Sequence, residues 1–234
     1  MIKAVFFDLY LTLVNYQPPR EELQAQALEE LGYHVEPEFF VIPLTTADEF
    51  MFQEHARLPL GKRSQDERYE IYLRHENIIL QEAGLEVAPE VPGLVVKKIS
   101  KIKLETVPFD DAIPTLKRLR EIGHLTGLIS NAEDSISPLL DSLNLGPLLD
   151  IVVTSREAGF NKPHREIFLK AVEMAGTAPE EVVFVGDQYS IDVVGAQNAG
   201  LKAVLLDRVG HFNGQGEFLK VSSLYELTEK IKEV

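Results

Sequence analysis

From Leu125 onward the chain alternates short apolar runs with helical stretches, and this alternation limits the possible folds more than any other feature. Leu125-Thr126-Gly127-Leu128-Ile129-Ser130-Asn131, Ile151-Val152-Val153-Thr154, Val182-Val183-Phe184-Val185-Gly186-Asp187 and Lys202-Ala203-Val204-Leu205-Leu206-Asp207 read as strands. Runs this short and this apolar suit strands buried on both faces. Helices are predicted between them: one starting at Ser137-Pro138, one from Arg165 to about Ala175 with Gly176 as its stop, and one from Ile191 to Ala199 with Gly200 as its stop. Ahead of them, Asp110 or Asp111 can cap a helix through Arg120 that ends at Gly123. Another apolar run, Ala4-Val5-Phe6-Phe7, ends abruptly in Asp8 and supplies a further strand. Strand–helix alternation of this kind implies an α/β fold, a Rossmann-like parallel sheet flanked by helices on both sides.

Between the first run and the rest lies a stretch with no convincing parallel-sheet strand. Arg20 to Leu31 places Leu23, Ala27, Leu28 and Leu31 on one helical face, and Gly32 stops it. Thr46 and Glu49 are spaced as a capping box opening a helix toward Arg57, and Leu58-Pro59-Leu60-Gly61 breaks it. Ser64 and Glu67 form a second such box before a helix that runs to Ala83 and Gly84. Pro89 and Pro92 mark a loop, with a short helical stretch to about Lys103. The expected organisation is a discontinuous core domain, residues 1–14 and 107–234, with an all-helical insert at 15–106. An insert rooted beside the carboxyl end of a strand lies over the ligand crevice of such a sheet, where it can act as a lid.

Charge and residue usage remove several classes of function. Net charge is −14, from 37 acidic and 23 basic residues, which argues against nucleic-acid binding by phosphate neutralisation. An acidic protein repels phosphorylated ligands at long range, so a phosphate site would need a local cation. The chain has no Cys, which excludes disulfides and thiol catalysis. No apolar segment is long enough to span a membrane, and no secretory leader is visible. A soluble cytoplasmic protein is expected, a monomer or homodimer acting on a small molecule.

In a parallel α/β sheet the carboxyl ends of the strands share one edge. Asp8, Ser130-Asn131 and Asp187 end three of the predicted strands, so their side chains can meet. Lys162, in Gly159-Phe160-Asn161-Lys162-Pro163-His164, falls in a loop on the same edge, and Asp192 opens the helix after Asp187. Such a set suits substitution at an electrophile, with Asp8 as the nucleophile of a covalent intermediate. Asp8, Asp187 and Asp192 repel one another unless a cation joins them, and Mg²⁺ prefers oxygen ligands of this type. Lys162 adds positive charge for the nucleophile and for a phosphoryl group. Ser130, Asn131 and Thr12 can donate hydrogen bonds to that group. His164 and the loop His211-Phe212-Asn213-Gly214 carry no evident role.

Taken together, Phe7-Asp8-Leu9-Tyr10-Leu11-Thr12-Leu13, Leu128-Ile129-Ser130-Asn131, Lys162-Pro163 and Val185-Gly186-Asp187 through Asp192 to Gly200 resemble the haloacid dehalogenase (HAD) superfamily of hydrolases. The resemblance is to its subgroup with a helical cap inserted after the first motif. It implies a nucleophilic Asp8, a phosphoryl group held by Ser130 and Lys162, and Mg²⁺ ligated by Asp187, with Asp192 a supporting or ligating acid. In family phosphatases the main-chain carbonyl at the position of Tyr10 also reaches the metal.

Tyr10 departs from the phosphatase pattern, in which a second Asp at that position protonates the leaving group. Tyr there resembles the L-2-haloacid dehalogenase branch, which attacks carbon without metal. That branch generally places uncharged residues at the position of Asp187, and it wants a basic halide-binding residue. The chain has no Trp, and Arg57, Arg63, Arg68 and Arg74 offer no clear halide candidate. A Tyr hydroxyl, with its reference pKa near 10, is poorly matched to proton donation at neutral pH. The preferred expectation is a Mg²⁺-dependent phosphatase of small phosphomonoesters. The alternatives are a metal-independent dehalogenase and a catalytically weak phosphate-binding relative.

Overall fold

The computed structural model of the chain describes every residue except Glu133, Asn213, Gln215, Glu217 and Val234. The expected loop at 211–214 therefore includes one residue, Asn213, outside those described. The chain divides into two compact units, Met1–Asn15 with Val107–Val234 and, separately, Tyr16–Thr106.

In chain order, β1 is Ala4–Phe7 and β2 is Val14–Gln17. Four helices follow: α1 (Arg20–Glu29), α2 (Val41–Arg57), α3 (Gln65–Glu82) and α4 (Val91–Ile99). Then come β3 (Glu105–Pro108), α5 (Ala112–Glu121), β4 (Leu125–Ser130), α6 (Ser137–Ser142), β5 (Ile151–Thr154), α7 (Ser155–Ala158) and α8 (Arg165–Ala175). The last elements are β6 (Val182–Gly186), α9 (Val194–Asn198), β7 (Lys202–Leu206), β8 (Leu219–Val221) and α10 (Leu224–Lys230).

The first unit is built on a six-stranded sheet of order β5-β4-β1-β6-β7-β8, with every neighbouring pair parallel. Its two faces are legible in β1 alone. Val5 and Phe7 belong to one core with Leu116 and Leu119 of α5 and Leu224 and Leu227 of α10. Ala4 and Phe6 belong to a second core with Phe168 and Ala171 of α8 and Ala196 of α9. Side chains alternate across a strand, so two cores mean helices on both sides of the sheet. Gly127 of β4 is held small by this packing: a Cβ there would lie 2.4 Å from the Phe6 ring.

The second unit packs α1, α3, α4 and the start of α2 around Leu28, Phe40, Leu44, Ile79 and Val95. The capping box of α3 is formed, with Ser64 Oγ accepting from the Glu67 N–H and the Glu67 carboxylate accepting from the Ser64 N–H. The other expected box is not. Helix α2 begins at Val41, after a short turn whose Phe40 is buried, so Thr46 lies inside it and its hydroxyl donates back to the Ile42 carbonyl. Pro92 also lies inside a helix, in the first turn of α4, where its missing N–H costs nothing. Strands β2 and β3, unread in the sequence, pair with each other rather than with the main sheet. Among the described residues no helix is long and apolar enough to cross a membrane.

Two buried carboxyl groups sit in this helical unit. Asp48 accepts from both terminal nitrogens of Arg20, at 2.8 and 2.7 Å. Glu76 is only 3% exposed and accepts from Gln24 Nε2 at 2.5 Å. Burial pushes the Glu76 carboxyl up from 4.5 to about 7, against the smaller lowering effect of Gln24. A carboxyl raised in the folded state favours folding relative to its ionised form while it is protonated. The advantage is lost as pH rises from the unfolded value, near 4.5, through about 7. Glu76→Gln keeps an acceptor for the Gln24 amide without the buried charge. Calorimetry should show the variant more stable than wild type above pH 7, by on the order of 3 kcal/mol, and the difference should vanish near pH 4. A difference that does not change with pH would contradict this account.

Candidate active site

Three adjacent strands bring their ends together. β1 lies between β4 and β6, with Phe7 opposite Leu128 on one side and Val185 on the other. The Asp8 N–H donates to the Val185 carbonyl at 2.9 Å, so the ladder continues one residue past the strand and fixes the backbone of Asp8. Ser130 is the buried last residue of β4, and Asp187 directly follows β6.

After Asp8 the chain turns sharply. Leu13 and Val14 both donate to the Leu9 carbonyl, Leu11 donates to the Val14 carbonyl, and Tyr10 bridges to Val14. Leu11 takes a left-handed backbone conformation, φ 62°, which costs a non-glycine residue roughly 1–2 kcal/mol. The turn leaves Thr12 fully buried, its hydroxyl donating to Asp187 Oδ1 at 3.1 Å. The Thr12 hydroxyl expected to meet a phosphoryl group thus bonds a carboxylate instead. Tyr10 is half-buried and packs beside the core that holds Val5 and Phe7.

Lys162 arrives from the loop between α7 and α8. Asn131 holds that loop from both sides, with Oδ1 accepting from the Lys162 N–H at 2.6 Å and Nδ2 donating to the Lys162 carbonyl at 3.0 Å. Asn131 therefore serves the loop's geometry. The Lys162 ammonium donates to Asp8 Oδ1 at 2.6 Å and to Asp192 Oδ1 at 2.7 Å, and is 2% exposed. Burial alone would push its pKa down, but Asp192 and Asp8 together raise it above the ordinary lysine value. It is a fixed positive charge rather than a proton donor. His164 lies in the same loop and is exposed, with Phe160 its ring neighbour.

Asp187 precedes a π-turn, Tyr189–Val193, and Asp192 lies within it, where a continuous helix from Ile191 was expected. The wider turn lets Asp192 Oδ2 accept from the Gln188 N–H at 3.1 Å while Oδ1 meets Lys162. Gly186 is required by contact: a Cβ there would lie 2.2 Å from Asp192 Oδ2, so any side chain would displace that carboxylate. Gln188, which sequence reasoning did not single out, also donates from Nε2 to Asp187 Oδ2 at 2.8 Å. Its only signal was its place directly after the acid.

Asp8, Asp187 and Asp192 each offer an oxygen within 4.8 Å of the others, and Lys162 is the ammonium bonded to two of them. Burial raises the Asp8 carboxyl from 3.8 to about 6; Lys162 lowers it and Asp192 raises it further. Burial, then the charge of Asp8, raises the Tyr10 hydroxyl above its ordinary value. An oxygen-only donor set with surplus negative charge fits a hard divalent cation such as Mg²⁺. Asp8 and Asp187 would hold it. Both oxygens of Asp192 already accept hydrogen bonds, as do both oxygens of Asp187, so Asp192 could hold the cation as well.

A family model described as haloacid dehalogenase-like hydrolase matches residues 2–200. A glyceraldehyde 3-phosphate phosphatase of Methanothermobacter thermautotrophicus is 32% identical over 213 residues, spanning 88% of this chain and 86% of its own. A crystal structure of a HAD phosphatase from Thermococcus onnurineus superposes with a TM-score of 0.58 at 27% identity, covering 98% of each chain. A 2-haloacid dehalogenase from Pseudomonas syringae pv. Tomato superposes with a TM-score of 0.57 at 23% identity, covering 100% of this chain and 99% of its own, a likeness of fold alone.

Proposed function

The chain belongs to the haloacid dehalogenase-like hydrolase family, and from that premise we propose that it is a Mg²⁺-dependent phosphatase of small phosphomonoesters. The observation that carries this reading is the convergence of Asp8, Asp187 and Asp192 around one locked ammonium, Lys162. Mg²⁺, when bound, supplies charge neutralisation for the carboxylates and the transferring phosphoryl group.

The remaining chemistry falls to the chain's own residues. The Asp8 carboxylate attacks phosphorus, forming the aspartyl-phosphate bond as the ester P–O bond breaks and the leaving oxygen departs with the electron pair as an alkoxide, which takes its proton from solvent water. Water then attacks the same phosphorus, releasing inorganic phosphate and restoring Asp8. Lys162 keeps Asp8 ionised and aimed, and with Ser130 offers donors to the phosphoryl oxygens. Asn131 keeps Lys162 in place, and Thr12 orients Asp187. The Tyr10 carbonyl is the proposed third metal ligand from the chain. The helical unit, Tyr16–Thr106, is the proposed cap that selects the substrate. A phosphorylated triose or sugar of the kind named for the relatives is the proposed substrate class. The proposed setting is the cytoplasm, for a monomer or homodimer that binds neither nucleic acid nor membrane.

Chelation is the direct test. Turnover of p-nitrophenyl phosphate should vanish after dialysis against EDTA and return on addition of Mg²⁺. Undiminished turnover without metal would overturn the reading. Tyr10 favours a second reading, dehalogenation, which predicts metal-free halide release from L-2-chloropropionate. Three of the four arginines considered as halide ligands are engaged within the helical unit: Arg57 and Arg63 bond Glu54, Arg63 also bonds the Leu58 carbonyl, and Arg74 stacks on Phe50.

A further inference from the structure

Arg208 follows β7 and has no part in the chemistry above, yet it ties four segments of the first unit together. Its Nη1 donates to Asp111 Oδ2 and its Nη2 to Asp111 Oδ1, both at 2.9 Å. Nη2 also donates to the Thr12 carbonyl at 2.9 Å. The guanidinium lies 3.8 Å over the centroid of the Phe109 ring. Asp111 in turn accepts from the Leu224 N–H at the start of α10. This engagement explains why the expected side-chain cap of α5 by Asp111 is absent. Among the described residues the buried Arg208 Nε has no hydrogen-bond partner, so the Nη contacts and the ring hold the group.

The Thr12 carbonyl belongs to the turn whose hydroxyl meets Asp187 Oδ1. That hydroxyl and Gln188 Nε2 each donate to the Asp187 carboxylate, one to each oxygen. A path of hydrogen bonds thus runs from Arg208 through the Thr12 peptide and hydroxyl to a proposed metal-holding oxygen. Groups that orient a ligand carboxylate typically change metal affinity by 10–100-fold.

We infer that Arg208 is a positioning residue for the cation site, acting through Thr12 on the orientation of Asp187. The inference rests on the metal reading above. It sets Arg208 apart from an ion pair that only stabilises the fold: its removal weakens cation binding, whereas a purely structural pair would lower the melting temperature alone.

Arg208→Lys keeps the charge and most of the stem but loses the planar fork that reaches Asp111 and Thr12 together. Mn²⁺ serves as the probe, its binding followed by electron paramagnetic resonance of the free ion in wild type, Arg208→Lys, Thr12→Val and the double variant. Arg208→Lys is expected to weaken Mn²⁺ binding by roughly tenfold or more, with kcat at saturating Mg²⁺ within about threefold of wild type. Because Arg208 acts through the Thr12 hydroxyl, Arg208→Lys should cause no further loss in the Thr12→Val background. Unchanged Mn²⁺ binding in a folded Arg208→Lys, or losses that multiply in the double variant, would overturn the inference. If Arg208→Lys does not fold, Arg208→Gln takes its place, and failure of both to fold assigns Arg208 to stability alone. Absence of Mn²⁺ binding by the wild-type protein would overturn the metal reading itself, and this inference with it.

Discussion

Asp8→Asn is expected to reduce phosphatase turnover by about 10⁴-fold or more, while the protein stays folded. The amide is nearly isosteric with the carboxylate but is not a nucleophile, so no aspartyl bond forms. Two effects on stability oppose each other. The substitution breaks one of the two bonds of a buried Lys162, but the ammonium keeps Asp192 as its partner. It also removes a carboxylate whose burial is unfavourable enough to raise its pKa to about 6. The net change in melting temperature should therefore be small against the change in rate. Single-turnover assays with p-nitrophenyl phosphate, with melting curves on the same samples, would separate the two. Retained turnover in a folded Asp8→Asn protein would remove Asp8 from the chemistry. The sign of the pH dependence follows from the same group: the carboxylate is the active form, so the acid limb of the wild-type rate profile should lie at or below about 6, the bound cation moving it lower.

Tyr10→Asp is expected to increase activity, selectively. A positioned general acid contributes typically 10²–10⁴-fold when the leaving group needs a proton. Burial and the Asp8 charge move the Tyr10 hydroxyl away from neutrality, which leaves an alkoxide without a good donor at that position. The gain should approach about 10²-fold for an alkyl phosphate such as glycerol phosphate. It should be near unity for p-nitrophenyl phosphate, whose phenolate departs unprotonated. The decisive measurement is the ratio of kcat/KM for the two substrates in wild type and variant. An equal gain on both would mean that Tyr10 obstructs the site rather than lacking a proton. No gain on either would mean that the wild-type donor lies elsewhere.

Five of the six strands of the main sheet were legible in the sequence because they are buried on both faces; the edge strand β8, Leu219–Val221, is short and partly exposed and was not. Val182–Gly186 and Ala4–Phe7 carry unbroken apolar runs, and their polar ends mark one edge. The same logic brought Asp8, Ser130 and Asp187 to that edge, and the structure places them on adjacent strands. What stayed hidden depends on partners distant in sequence. Asp111 reads as a helix cap by local spacing, but Arg208 competes for its carboxylate and wins with two hydrogen bonds. Thr46 and Glu49 have capping-box spacing, yet the buried Phe40 anchors α2 a turn earlier. β2 and β3 are short, partly polar and paired only with each other, so neither carries the pattern of a core strand. The π-turn at Tyr189–Val193 was invisible because its spacing of apolar residues passes for an α-helix.

The central position of β1 has a consequence for how the enzyme comes into being on the ribosome. The strand that carries Asp8 is synthesised before both of its neighbours, which follow only when residues 125–130 and 182–186 have been added. Until then Ala4-Val5-Phe6-Phe7 is an apolar segment with two unpaired edges, the kind of species that chaperones engage and that aggregates when they do not. The proposed nucleophile is thus made before the groups that seat it. A nascent chain stalled before β6 carries Asp8 but has no Val185 carbonyl to fix its backbone and no Asp187 or Asp192 beside it. The proposed hydrolytic chemistry is withheld by the order of translation until β6 and the residues just after it have been added.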